Sequence, residues 1–120
     1  VLSFHIFSFT GGWTHQVSSF RIHNKSFEEN DAQVLGISCD SKAGQSAFAT
    51  SLGSIPYPVL SDFYPHGKVC QMFGIFDETR GAPKRAVIII DRKGVVRSSK
   101  IYEAATDLNP LDILDEVTSL

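Results

Sequence analysis

Cys39 and Cys70, the histidines His5, His15, His23 and His66, and a scatter of carboxylates are the side chains of this 120-residue chain with chemistry to offer. A cysteine acts as a nucleophile or metal ligand in its thiolate form. The two cysteines fit neither a CxxC pair nor a zinc-ligand spacing, and two of them make no disulfide framework. A single disulfide between them stays formally open, because the Cα separation it requires is not written in the sequence. Cys70, between Val69 and the Met72-Phe73 pair, reads as a buried, inert side chain. Cys39 ends a core strand, where any small apolar side chain would serve. The histidines share no ligand spacing such as i, i+4 on one helix face, so no metal site is indicated and no cofactor is called for. His15 reads as a solvent-facing histidine near the start of the first helix, and His66 as part of a Tyr-Pro-His-Gly turn. Asp91-Arg92-Lys93-Gly94 is a charged turn that lacks the glycine run and the following helix of a phosphate cradle.

The elements that must position these groups follow from hydrophobic period and turn residues. Val1 to Phe9 alternates apolar and small polar residues and reads as a strand ended by Thr10-Gly11-Gly12. From Trp13 onward, Val17, Phe20 and Phe27 recur at helical spacing, which predicts a helix of about four turns. Ala32 to Cys39 is a short apolar run and reads as a buried strand. Ser41 caps a helix over Lys42 to Leu52, with Ala43, Ala47, Phe48 and Leu52 on its inner face and Gly53 as its stop. Val59-Leu60 is a short strand after the proline-rich Ile55–Pro58 stretch. Lys68 to Phe73 predicts a short helix with Val69, Met72 and Phe73 inward, closed by Gly74. Arg85 to Asp91 and Val95 to Ile101 flank Arg92-Lys93-Gly94, a signature of an antiparallel hairpin. Leu108 to Leu120 is a closing helix with Leu111, Leu114 and Val117 or Thr118 along its inner stripe. The order β-α-β-α-β-α-β-β-α implies an α/β sheet, parallel at first and antiparallel at the hairpin, with helices on its faces.

Size and charge narrow the function classes. One domain over residues 1–120 accommodates the length and the 42% of hydrophobic residues. Eleven basic against thirteen acidic residues, a net charge of -2, argue against nucleic acid and anionic membranes as partners. The longest apolar run, Ala86 to Ile90, falls far short of the roughly 20 residues a membrane-crossing helix needs. Sparse cysteine points to a reducing, intracellular compartment, with the cytoplasm or an organelle left open. Val1 lies inside an apolar run with no basic residues before it, which is not a signal peptide, so an upstream segment is expected to be missing.

The junction Phe7 to Gln16 (FSFTGGWTHQ) and the segments LGISCDS (Leu35 to Ser41), PVLSDFYPHGKV (Pro58 to Val69), FGIFDE (Phe73 to Glu78) and KRAVIIIDRKGVVR (Lys84 to Arg97) give a resemblance over essentially the whole chain. In that order and at those separations they are similar to the peroxiredoxins of the AhpC/TSA superfamily, above all the one-cysteine alkyl hydroperoxide reductase E type. The resemblance implies a thioredoxin-like mixed sheet with helices on both faces, here without the N-terminal strand pair that family members usually carry. The implied reaction is reduction of a hydroperoxide by a thiolate, which becomes a sulfenic acid. A position in the first helical turn and a nearby arginine lower the pKa of that thiol.

Mapped onto this chain, the family's active-site proline falls on Ile6, its threonine on Thr10, its peroxidatic cysteine on Trp13, its acidic residue on Gln16 and its arginine on Arg85. Thr10 and Arg85 match; Ile6, Trp13 and Gln16 depart. An indole has one N–H donor and no nucleophilic electron pair to offer a peroxide, so Trp13 removes the usual chemistry. The expectation is a catalytically inactive structural or interaction module. It would form a homodimer or join a larger assembly through the Trp13 face, with Phe9, Trp13, Phe63, Tyr64 and Phe76 as contact residues. The alternative is an active thiol-dependent peroxidase that uses Cys70 or Cys39, keeps Arg85 to polarise the peroxide, and takes electrons from a thioredoxin-type reductant. A third, more distant reading is a small-molecule binder that uses the pocket beside Trp13.

Overall fold

The computed structural model describes residues 1–8, 11–53 and 55–120, and the backbone alone for residues 11–13 and 105. The strands are β1 (Leu2–Phe4), β2 (Leu35–Ser38), β3 (Val59–Ser61), β4 (Phe76–Asp77), β5 (Ala82–Pro83), β6 (Ala86–Ile90) and β7 (Val96–Ile101). The helices are α1 (Gly11–Glu29), α2 (Lys42–Ser51), α3 (Lys68–Met72) and α4 (Pro110–Thr118), with a 3-10 turn at Ala105–Asp107.

One sheet has the order β3-β2-β1-β6-β7. β1 pairs parallel with β2, β2 pairs parallel with β3, and β6 runs antiparallel to both β1 and β7. The predicted mixed sheet is therefore the observed one, and its alternating side chains explain why helices cover both faces. Val87 and Ile89 of β6 point into a core with Val17, Phe20 and Phe27 of α1, Phe48 of α2 and Ile113 of α4. Ala86 and Ile88 point the other way, to Phe4, Ile37, Ile75 and Cys70 of α3. β7 closes the sheet with almost no burial, and Val96 and Ile101 remain about half exposed.

Several expectations are corrected. The first strand is only three residues long, since the chain leaves the sheet at His5, and α1 begins at Gly11 and runs 19 residues, about five turns. In α2 the inner face is Gln45 and Phe48, while Ala43 and Ala47 are exposed. The amide of Gln45 earns this place through hydrogen bonds that an apolar-period reading does not see. In α3, Met72 is 74% and Val69 37% exposed, and Cys70 is the buried residue. The carboxylate of Asp62 accepts from the N–H groups of Val69 and Cys70, which sets the orientation of this single turn and aims Cys70 at the sheet. In α4, Leu111 is 47% exposed. The Asn109 side chain caps the helix and Pro110 starts it, so the inner stripe is Pro110, Ile113, Leu114 and Val117. The β4–β5 pair around Asp77–Gly81 was not anticipated; two-residue strands carry no readable alternation.

Ser41 caps α2 as expected, accepting from Gly44 N–H at 3.1 Å. Gly53 (φ 84°) and Gly74 (φ 70°) end α2 and α3 in the left-handed conformation that the stop signals imply.

Candidate functional site

The carboxyl ends of the three parallel strands open at one edge of the sheet, and each is followed by polar side chains: His5 and Ser8 after β1, Asp40 and Ser41 after β2, and Asp62 after β3. Such an edge is where open α/β sheets hold their ligands. α1 starts at Gly11, which puts the backbone of Trp13 in the first helical turn, where N–H groups lack intrahelical partners. The antiparallel register Phe4–Ala86 brings Arg85, the residue before β6, to this same edge.

A hydrogen-bond network ties the three segments together. Asp40 accepts from the backbone N–H of Ser8 at 2.8 Å and from the Ser38 hydroxyl at 2.6 Å. The Ser61 hydroxyl donates to the Asp40 carbonyl at 2.5 Å. Gln45 donates to the Leu60 carbonyl at 2.7 Å, which turns its amide oxygen toward the Ser8 hydroxyl at 2.5 Å. His5 Nε2 lies 3.1 Å from the same hydroxyl. Because Ser8 gives its proton to Gln45, its oxygen accepts from His5, so this contact is not an activated serine nucleophile. His5 is fully buried, and that burial lowers its pKa to about 4 against the opposing pull of Asp40 and Gln45, so the ring is neutral at neutral pH.

Of the residues expected at the site, Thr10 and the side chains of Phe9 and Trp13 lie outside the described residues. Arg85 is half-buried and donates from Nη1 to the Glu103 carbonyl at 3.2 Å. Burial first, then the charge of Arg80, lower its pKa, and Asp107 opposes them. Gln16 is buried in α1 and donates to the Ser3 hydroxyl at 2.8 Å and the Phe4 carbonyl at 3.2 Å. It fastens the helix to β1. His15 is exposed, as expected, and so is His66.

The structure also joins what the sequence separates. Cys39 Sγ and Cys70 Sγ are 4.0 Å apart, and the Asp62 carboxylate shares their corner, all three ligand atoms lying within 4.8 Å of one another. Both cysteines are free thiols. Desolvation raises the pKa of each; for Cys70 the Asp62 carboxylate adds to it, and for Cys39 the charges of Asp62 and Asp40 do. Sequence reasoning missed Asp40, Gln45 and Asp62 as organising residues. The readable signal was their place: Asp40 and Asp62 each follow directly on a strand end, in Ser-Cys-Asp-Ser and Leu-Ser-Asp.

Known proteins share this fold. The sequence profile of the AhpC/TSA family matches residues 1–99. Alkyl hydroperoxide reductase E of Mycobacterium tuberculosis is 35% identical over 103 residues, covering 86% of this chain and 67% of that protein. Chloroplastic peroxiredoxin Q of Arabidopsis thaliana is 37% identical over 98 residues, 81% of this chain but only 44% of the relative. Among solved structures, peroxidoxin BcpB from M. tuberculosis superposes with a TM-score of 0.87 at 30% identity, over 99% of this chain and 77% of that one. AhpC of Enterococcus faecalis gives a TM-score of 0.90 at 25% identity, over 98% and 71%. Family profile, sequence relatives and sheet topology converge, and the chain belongs to the AhpC/TSA family, the peroxiredoxins, on their thioredoxin-like fold.

Proposed function

We propose that this chain is a peroxiredoxin-fold module, one domain over residues 1–120, that has lost peroxidatic turnover and works through protein contacts at the edge where α1 begins. The observation that carries the reading is Trp13, which stands three residues after Thr10, where the family's pattern has its nucleophilic cysteine. An indole neither attacks a peroxide nor becomes a sulfenic acid. The two thiols that remain support the reading as well. Burial and neighbouring carboxylates keep both protonated, whereas a peroxidatic thiol needs a cation or a helix N-terminus to ionise it. Phe63 and Tyr64, 52% and 79% exposed, supply aromatic surface of the kind that a homodimer or a larger assembly would cover. The two free cysteines fit an intracellular, reducing compartment.

The rival reading is a thiol peroxidase that uses Cys39 or Cys70, with Arg85 polarising the peroxide and a thioredoxin-type protein as reductant. The contact between the two sulfurs favours it, because an oxidised Cys39 would find a second thiol within reach. One experiment separates the two. The purified chain is mixed with hydrogen peroxide and followed by stopped-flow and mass spectrometry. Oxidation at the slow rate of an ordinary free thiol is expected. Rapid stoichiometric sulfenic acid that disappears in Cys39→Ser or Cys70→Ser would establish the peroxidase instead. Trp13→Cys is expected to gain peroxide reactivity through Thr10 and Arg85. For the contact role, Tyr64→Asp is expected to shift sedimentation toward monomer without changing the circular dichroism; unchanged sedimentation of an associated species would remove Tyr64 from the interface.

A further inference from the structure

We propose that Cys39, Asp62 and Cys70 form a binding site for a thiophilic divalent cation of the zinc class, closed by solvent at the fourth position. Three elements supply one donor each: the turn after β2, the turn after β3, and the single turn of α3. The spacing fits the ion. Two thiolates on one tetrahedral zinc, with Zn–S of about 2.3 Å, stand about 3.8 Å apart. The two sulfurs here are 4.0 Å apart and the carboxylate completes a triangle with no edge longer than 4.8 Å. A disulfide would need the sulfurs to close to about 2 Å, whereas an ion takes them nearly where they are.

The charge argument is independent of the spacing. Asp62 is 3% exposed, and among the described residues no lysine or arginine forms an ion pair with it. Each of its oxygens accepts one backbone N–H, Oδ1 from Val69 at 3.1 Å and Oδ2 from Cys70 at 2.9 Å, and the carboxylate also holds the Cys70 thiol, whose proton a bound cation would replace. Buried carboxylates are ordinarily paired or coordinate metals. Cys39 is only half-buried, so the corner has an approach from solvent. Gly67 also belongs to the fit: a side chain there would begin 3.4 Å from the Cys39 sulfur. On binding, two S–H bonds break, two metal–sulfur bonds form, and both protons leave to water with no change in oxidation state. The site does not depend on whether the family reaction survives in this chain.

Cobalt(II) is the probe. The reduced chain, stripped with a chelator, is titrated with Co2+ and read by its near-ultraviolet thiolate-to-cobalt charge-transfer absorption and by elemental analysis. One ion per chain, with a band that Zn2+ displaces, is expected. Cys39→Ser and Cys70→Ala abolish the band, and Asp62→Asn, which keeps an oxygen for the α3 amides, weakens binding by about 10-fold or more. Circular dichroism confirms that the variants are folded; Cys39→Ser is decisive because that residue is not in the sealed core. A substoichiometric or absent band in the reduced wild type overturns the proposal, as does a band that survives Cys39→Ser. Recovery of the pair as a disulfide whose reduced form binds no Co2+ overturns it too and identifies a redox pair.

Discussion

The buried imidazole of His5 makes stability depend on pH in a window that carboxylates scarcely share. Its ordinary pKa of 6.5 falls to about 4 in the folded chain because the ring is sealed among Ser8, Gln45 and Phe48 and loses hydration when charged. Above pH about 6.5 neither folded nor unfolded chain carries the proton, and this residue contributes no slope. Between pH about 6.5 and about 4 the unfolded chain takes up a proton that the folded chain refuses, so stability falls as pH falls. Below pH about 4 both states are protonated and the loss is complete. The difference between 6.5 and about 4 corresponds to about 3 kcal/mol, a sizeable share of the 5–15 kcal/mol or so that holds a typical domain together. Urea unfolding followed by far-ultraviolet circular dichroism, run at pH about 7 and about 4.5, measures it. The assay is repeated on His5→Gln, which keeps a hydrogen-bond donor and has no titration. Wild type is expected to lose over 2 kcal/mol more than the variant across that interval. Parallel losses in both proteins, or an NMR titration of His5 near its ordinary value, would refute the reasoning.

Other substitutions test the scaffold around the same edge. Gly67→Ala places a methyl group 2.4 Å from the Phe76 ring at a backbone φ of 79°, and is expected to cost about 3 kcal/mol; an unchanged thermal midpoint would contradict the packing at the head of α3. Tyr57→Phe removes the buried hydroxyl that donates to the Val17 carbonyl at 2.9 Å and should lower stability by about 1 kcal/mol in chemical denaturation, leaving the shape of the core intact. Asn109→Ala takes away the side-chain acceptor for Leu111 N–H and should cost about 1 kcal/mol, measured the same way.

Local chemistry was legible because it acts over a few residues. The apolar run of β6, the turn at Arg92-Lys93-Gly94, the caps at Ser41 and Gly53, and the apolar stripe of α1 each depend on neighbours within about one helical turn or one strand. The structure places them where those patterns imply. The family pattern was legible too, since it is a string of such local motifs in order. Inner faces were less readable where a polar group had a partner far along the chain. Gln45 displaced Ala43 and Ala47 from the core of α2 through bonds to Ser8 and Leu60, and Asp62 turned α3 until Cys70 faced in and Met72 faced out.

The amino-acid order alone thus determined the main helices, the strands of the five-stranded sheet and its mixed character, and the family to which the chain belongs. Only the tertiary structure decided that His5 is sealed and neutral, that Arg85 stands at the edge where β1 ends, and that Cys39, Asp62 and Cys70 meet. The reason is physical: burial and proximity between distant residues are created by strand register and helix packing, and neither is encoded by spacing along the chain.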